Sequence, residues 1–288
     1  MNKVRPFYWS VRRELWENPA LWVAPLAVEA VVLVGFLISS HHLPRAVANA
    51  AAGIKAAKGS GTLETPYAMA AAAVFMISFF VAIFYALGAL HNERRDRSLL
   101  FWKSLPVSDR TVVLSKAAIP LLVQPVIILV IAVATQLIML LWSTIVLAVS
   151  GGDLGYYYSH VHLPLIWMML PYGLAVNALW DVPFYGWLIL VSAWARKATF
   201  VWAIGPWLAL MAFEWMAFQT FHVRDLLSSR LFGGYQLAYT IDGKTTIDTL
   251  SQVTPMRWLA NPGLWIGLVV GTACFAACIH LRRRNDPI

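Results

Sequence analysis

The chain has 288 residues, of which 60% are hydrophobic and only 12% charged, with a net charge of +8. An average soluble domain carries roughly a quarter charged residues. Together with a mean hydropathy of +0.66, the composition excludes a soluble enzyme, a disordered chain and a nucleic-acid-binding module, and leaves an integral membrane protein.

In chain order, residues 3–18 predict an amphipathic helix on the cytoplasmic membrane surface. Val4, Tyr8, Val11 and Leu15 follow helical spacing, Arg5, Arg12 and Arg13 lie elsewhere around the wheel, and Phe7, Trp9 and Trp16 supply interfacial aromatics. Asn18-Pro19 then breaks the helix before the chain enters the bilayer. A spanning helix needs about 20 mostly apolar residues. The apolar regions 20–39, 67–90, 117–149, 163–194, 199–219 and 262–281 satisfy this. Ala48-Asn49-Ala50 resembles a signal-peptide cleavage site but lies too far beyond the first run, so that run is expected to stay as a span.

Two regions are too long for one crossing. Residues 117–149 would reach about 50 Å at about 1.5 Å per residue, so this region is expected to bend at Pro120 and Pro125 or to extend beyond the hydrocarbon. Residues 163–194 are punctuated by Pro164, Pro171, Asp181 and Pro183. They hold either one span from about Gly173 to Trp194 behind an interfacial turn, or two short spans flanking Asp181. Charge decides the total. With six spans and a cytoplasmic start, 15 of the 22 Lys and Arg residues fall inside and seven outside. A seventh span would put Arg282–Arg284 outside. The expectation is an all-α protein of six transmembrane helices with both termini cytoplasmic, in a cell membrane such as a bacterial inner membrane. The positive charge is then a topology signal facing anionic lipid.

The extracytoplasmic segments read as small. Residues 40–66 are Ala- and Gly-rich and expected to be flexible, and 150–162 form a short loop with Tyr156, Tyr157 and Tyr158 at the interface. Residues 220–261 form the largest segment, with turns expected at Gly233-Gly234 and Asp242-Gly243. The cytoplasmic loop 91–116 carries more information. The charged run Glu93, Arg94, Arg95, Asp96 and Arg97 precedes an apolar patch of Leu99, Leu100, Phe101, Trp102 and Leu105, then Pro106, and Ser108 is placed to cap the next helix. Aromatics dipping into headgroups are one reading of the patch. A docking surface for a cytoplasmic protein fits better, because interaction sites expose aromatic clusters rimmed by charge.

Catalytic signatures are missing. Gly59-Ser60-Gly61-Thr62 lacks the lysine of a phosphate-binding loop, and no G-x-S-x-G or H-E-x-x-H occurs. His41, His42, His160 and His162 read as interfacial, and no metal ligands are assigned. Cys274 and Cys278 lie one turn apart on an apolar helix and read as packed side chains. Within the spans, Glu29 lies near the midplane and Glu214 toward the outer end of span five. Intramembrane acids are costly and usually face a cavity or a partner, so both are candidates for a translocation path. Pro206 is placed to kink span five, and Gly263, Gly267 and Gly271 form a ridge that permits close helix contact.

Four passages carry a family likeness. Arg13-Glu14-Leu15-Trp16-Glu17-Asn18 precedes span one. Glu93-Arg94-Arg95-Asp96-Arg97-Ser98 runs into Phe101-Trp102-Lys103-Ser104-Leu105-Pro106-Val107-Ser108. Span four ends Val191-Ser192-Ala193-Trp194-Ala195-Arg196-Lys197. The last span opens Asn261-Pro262-Gly263-Leu264-Trp265-Ile266-Gly267 and ends in three arginines. Through these passages the chain resembles the type-2 permease family of ATP-binding-cassette (ABC) exporters over nearly its whole length, and its compact outer segments set it apart from branches with large outer domains. The resemblance implies a non-enzymatic half-transporter: two six-span permeases, a homodimer or a pair of paralogues, with two separate cytoplasmic ATPase subunits that bind ATP and Mg. It also implies that the 91–110 loop is a coupling helix. Its coupling residues would be Glu93, Arg94, Arg95, Asp96, Arg97, Leu100, Phe101, Trp102, Lys103, Ser104, Leu105 and Pro106. A hydrophobic or amphipathic cargo suits the Trp-rich spans. The competing classes are a membrane-embedded enzyme or lipid-modifying protein, which needs no ATPase companion, and a membrane scaffold.

Overall fold

The computed structural model describes residues 4–53, 63–96, 107–239 and 252–284. Among these residues the regular structure is helical, apart from an isolated antiparallel bridge between Tyr239 and Val253. Six helical stretches are long and apolar enough to cross a bilayer: Ala20–Ala51, Thr65–Arg95, Asp109–Ser150, Leu154–Trp180, Thr199–Phe218 and Pro262–Arg283. The chain is an all-α, multi-pass membrane protein.

α1 (Val4–Glu17) and α2 (Ala20–Ser39) match the expected interfacial helix and first span. A 3₁₀ turn at Ser40–His42 then leads into α3 (Leu43–Ala51). The sequence reading expected a flexible segment here. Ala46, Ala48, Ala50 and Ala51 favour helix instead, and Val47 fixes the helix by burying its side chain. α4 (Thr65–Gly88) and α5 (His91–Arg95) follow. α6 (Asp109–Ala118) starts as expected at Ser108, whose Oγ accepts the Thr111 N–H at 3.2 Å. It enters a π-helical turn at Ile119–Val123 before α7 (Gln124–Ser150). Pro120 has no N–H to continue the α pattern, and Gln124 N–H donates to the carbonyl of Ile119, five residues back.

The loop expected at 150–162 contains a short helix, α8 (Leu154–His160), capped by Asp153, whose Oδ1 accepts the Tyr156 N–H at 2.9 Å. The long fourth region resolves into α9 (Leu163–Trp180) and α10 (Val182–Trp194). Helical bonding continues across the junction, because Asp181 N–H donates to Asn177 O and Tyr185 N–H to Asp181 O. At 13 residues, α10 covers about 20 Å, too little to cross alone. α11 (Thr199–Phe218), α12 (His222–Ala238), α13 (Pro255–Leu259) and α14 (Pro262–Arg284) complete the order.

The chain forms two compact units. One comprises residues 1–19, 82–125 and 172–288. Its main core collects Ala86, Leu90, Val113, Tyr185, Ile189 and Cys278. Here α10 and α14 approach closely through glycine. A Cβ at Gly271 would run into Val182 Cγ1 and the Pro183 backbone, and one at Gly186 into Gly271 and Cys274. Cys274 and Cys278 are free thiols on this packed face. A second core of Val176, Trp180, Ala238, Tyr239, Trp258 and Leu264 packs α12 and α13 against α9 and α14. The turn expected at Gly233-Gly234 is absent, and α12 runs through both glycines. Gly234 is needed for space rather than for a turn, since a Cβ there would meet the Trp180 indole. The other turn expected there, Asp242-Gly243, lies outside the described residues.

The other unit comprises residues 20–81 and 126–171, with Val47, Tyr67, Met139, Leu147, Tyr157 and Leu163 at its core. Its buried hydroxyls bond one another. Tyr67 Oη lies 3.2 Å from Ser143 Oγ and also meets Tyr157 Oη.

Candidate functional site

The densest polar cluster is a buried network of ion pairs at the base of the 91–110 loop. Glu14, on α1, is 1% exposed. Its Oε1 accepts Lys116 Nζ and Arg13 Nη2, both at 2.8 Å, and its Oε2 accepts the Tyr85 hydroxyl at 2.8 Å. Glu93, on α5, pairs with Lys116 at 3.1 Å, Arg282 at 2.7 Å and Arg13 at 3.4 Å. Arg282, on α14, also reaches Asp109 at the start of α6, Nε to Oδ1 at 3.1 Å. Arg13, Lys116 and Arg282 thus face Glu14, Glu93 and Asp109, with the half-exposed Glu17 also 3.4 Å from Arg13, so each buried charge has an opposite partner. Buried ions are tolerated only with such pairing.

Each helix presents its member for a local reason. On α1 the acid Glu14 sits on the inward face, while Lys116 enters α6 from an otherwise small or apolar stretch, Val112 to Ala118. Burial works against ionisation of Glu14, but Lys116 and Arg13 outweigh it and hold the carboxyl below the ordinary glutamate range. Burial also opposes the charge on Arg13, and Glu14, Glu17 and Glu93 more than compensate, raising its pKa.

A second set of bonds fastens α5 to the end of α10. Ser192 Oγ accepts Leu90 N–H and His91 N–H, both at 2.9 Å. Arg94 Nη2 donates to the carbonyls of Ser192 at 2.8 Å and Ala195 at 2.7 Å. The four passages that carry the family likeness therefore meet here: Arg13 and Glu14 from the first, Glu93 and Arg94 from the second, Ser192 and Ala195 from the third, and the arginine-rich end of the last helix through Arg282.

The structure sorts the predicted coupling residues. Glu93 and Arg94 point inward into these contacts, whereas Arg95 and Asp96 are exposed and pair with each other at 3.1 Å. Arg97, Leu100, Phe101, Trp102, Lys103, Ser104, Leu105 and Pro106 lie outside the described residues. The segment 97–106 leaves from α5 and returns to α6, and both flanking helices are held by the hub through Glu93 and Asp109.

The two intramembrane acids differ. Glu29 is 2% exposed, and neither carboxyl oxygen completes a hydrogen bond, although the Thr135 hydroxyl and the Val74 backbone lie beside it. Glu214 closes a turn: its carboxylate accepts Thr220 Oγ1 at 2.8 Å, His222 N–H at 2.7 Å and Val223 N–H at 2.8 Å. It thereby caps α12, while Gln219 takes a left-handed φ of 55° to make the turn. Glu214 has a structural task that its position in span five did not indicate.

A partly buried arginine went unread in the sequence. Arg230 of α12 lies over the Trp180 ring at 4.6 Å and donates Nη2 to Gly263 O at 2.7 Å. A Cβ at Gly267 would occupy the position of its guanidinium. Two residues of the predicted glycine ridge thus receive an arginine, and the third, Gly271, receives a helix. Asp181, 2% exposed, lies near Arg230 without forming a direct ion pair. Among the described residues, no group of three or more His, Cys, Asp or Glu side chains is placed to hold a metal ion. Comparison with protein-family models, curated proteins and solved structures returned no match.

Proposed function

We propose that the chain is the permease subunit of an ABC exporter, moving a hydrophobic or amphipathic cargo with energy from a separate cytoplasmic ATPase. The observation that carries the reading is the hub, where a short loop has both flanking helices ionically fixed to the interfacial helix and to the last span. A displacement of segment 97–106 would be delivered to α1, α6 and α14 together rather than absorbed by slack chain. The aromatic patch Leu100, Phe101 and Trp102 gives a cytoplasmic partner apolar surface to grip, worth roughly 1.5–3 kcal/mol for each side chain it buries. The resemblance supplies the identity of that partner, a P-loop ATPase binding ATP and Mg, and of a second permease copy that completes the path. Glu29 is the acid that would border the path.

The test is whether a P-loop ATPase is encoded beside this chain and co-purifies with it, followed by measurement of basal and cargo-stimulated hydrolysis. Alanine at 100–102 should release the ATPase. Glu93→Gln should retain it but lower the stimulated rate, because the loop would still dock while its flank is loosened. Normal ATPase binding and transport by the triple alanine variant would sink the proposal.

A further inference from the structure

α1 has two faces of opposite chemistry. The inner face delivers Glu14 to the hub. The outer face carries Tyr8, Trp9, Arg12 and Trp16, which fall within about 100° of the helix circumference. Tyr8 and Trp9 are each 56% exposed and Trp16 70%. Between the rings sits a cation, with Arg12 Cζ 5.1 Å from the Trp9 ring centroid and 4.6 Å from that of Trp16. The spacing of three residues back and four forward places both indoles one turn from the arginine, so the helix itself builds the sandwich.

Arg12 differs from its neighbour. Arg13 is held by Glu14, Glu17 and Glu93, whereas Arg12 forms no ion pair among the described residues. Its planar guanidinium is steadied by two rings and keeps N–H donors for an anion. Those rings combine an apolar body with a polar N–H, the combination that settles at the boundary between water and hydrocarbon. The chain keeps them near that boundary: α1 ends at Glu17 and α2 begins at Ala20, so Trp16 lies within about 14 Å of the start of the first span.

We infer that Tyr8, Trp9, Arg12 and Trp16 form a docking face for anionic phospholipid, with the headgroup phosphate on Arg12 and the rings in the headgroup layer. The occupant is the lipid of the membrane that holds the chain. The inference needs only that α1 lies at the membrane surface, and it stands apart from the permease reading.

The full chain, purified in detergent, is titrated with phosphatidylglycerol or phosphatidylcholine, and bound lipid is counted by native mass spectrometry. Wild type should prefer phosphatidylglycerol. Arg12→Gln should weaken that binding about fivefold, the effect of one basic side chain at an anionic surface, and leave phosphatidylcholine unchanged. Trp9→Leu with Trp16→Leu keeps the charge and should also lose selectivity, because the guanidinium is no longer steadied. Arg283→Gln, an equal charge change on an exposed residue of α14, should have little effect. Melting without added lipid establishes that each variant is folded. Unchanged selectivity in Arg12→Gln would overturn the inference, as would an equal loss in Arg283→Gln. It would also fail if Arg12→Gln altered only the oligomeric mass or ATPase co-purification, since the face would then belong to a protein.

Discussion

Lys116 is the residue on which the hub most depends, because it touches both Glu14 and Glu93 and is 3% exposed. Lys116→Met removes one cation and leaves two buried carboxylates under-compensated, a loss expected to cost about 3–5 kcal/mol. Adding Glu14→Gln to it should recover part of that loss, which thermal denaturation of the four variants in one detergent would measure. Acidity tests the same residue. Because the folded-state pKa of Glu14 lies below the ordinary value of 4.5, its contribution is present above that value and disappears as the pH falls through the folded one. Wild type should therefore lose stability in acid more steeply than Glu14→Gln. Glu29 predicts the opposite pattern. Its buried carboxyl makes no hydrogen bond of good geometry, with only the Thr135 hydroxyl and the Val74 backbone nearby, so Glu29→Leu should cost little stability, while impairing cargo-stimulated ATPase if the residue borders the path. Wild-type transport in that variant would leave Glu29 a packing residue.

Among elements, the α10–α14 contact depends on the absence of side chains. Gly271→Ala would press a methyl against Val182 and the Pro183 backbone, an overpacking expected to cost about 1–3 kcal/mol. Gly35→Ala on α2, where nothing lies within 4 Å of a new Cβ, should instead gain up to about 1 kcal/mol of helix propensity. Paired melting curves check the contrast. Which elements the sequence revealed follows from the same physics. α2 was legible to its bounds because an apolar run of spanning length, broken by a single acid at Glu29, has one low-energy state in a bilayer. α12 was not, because Gly233 and Gly234 carry a local turn signal, and their packing against the buried Trp180 is a long-range contact the sequence does not mark. The hub left no local trace either. Glu14, Glu93, Lys116 and Arg282 are far apart in sequence, and each alone looks like an ordinary charge at a helix end. What the sequence did mark were the passages that meet there.

For the whole molecule, the topology is the quantity to test. The bias of basic residues leads us to expect Ala52 outside and Asp96 inside. After replacement of Cys274 and Cys278, a single cysteine at Ala52 should react with an impermeant maleimide in intact cells, and one at Asp96 only after permeabilisation. A cysteine at Asp286 should behave like Asp96. Labelling of Asp286 from outside would require an odd number of crossings, with α9 and α10 entering the bilayer separately.

The fixed flanks of segment 97–106 also bear on how such a protein changes partners over time. Glu93 and Asp109 are held at the two ends by residues far from the loop in sequence, so a replacement confined to the ten positions 97–106 removes none of these attachments. On the permease function proposed above, the loop would act as an exchangeable module: substituting the corresponding stretch of another permease should redirect the chain to that permease's ATPase and leave its cargo unchanged. On that function, partner choice and cargo choice would diverge separately, one through substitutions at positions 97–106 and the other through the spans.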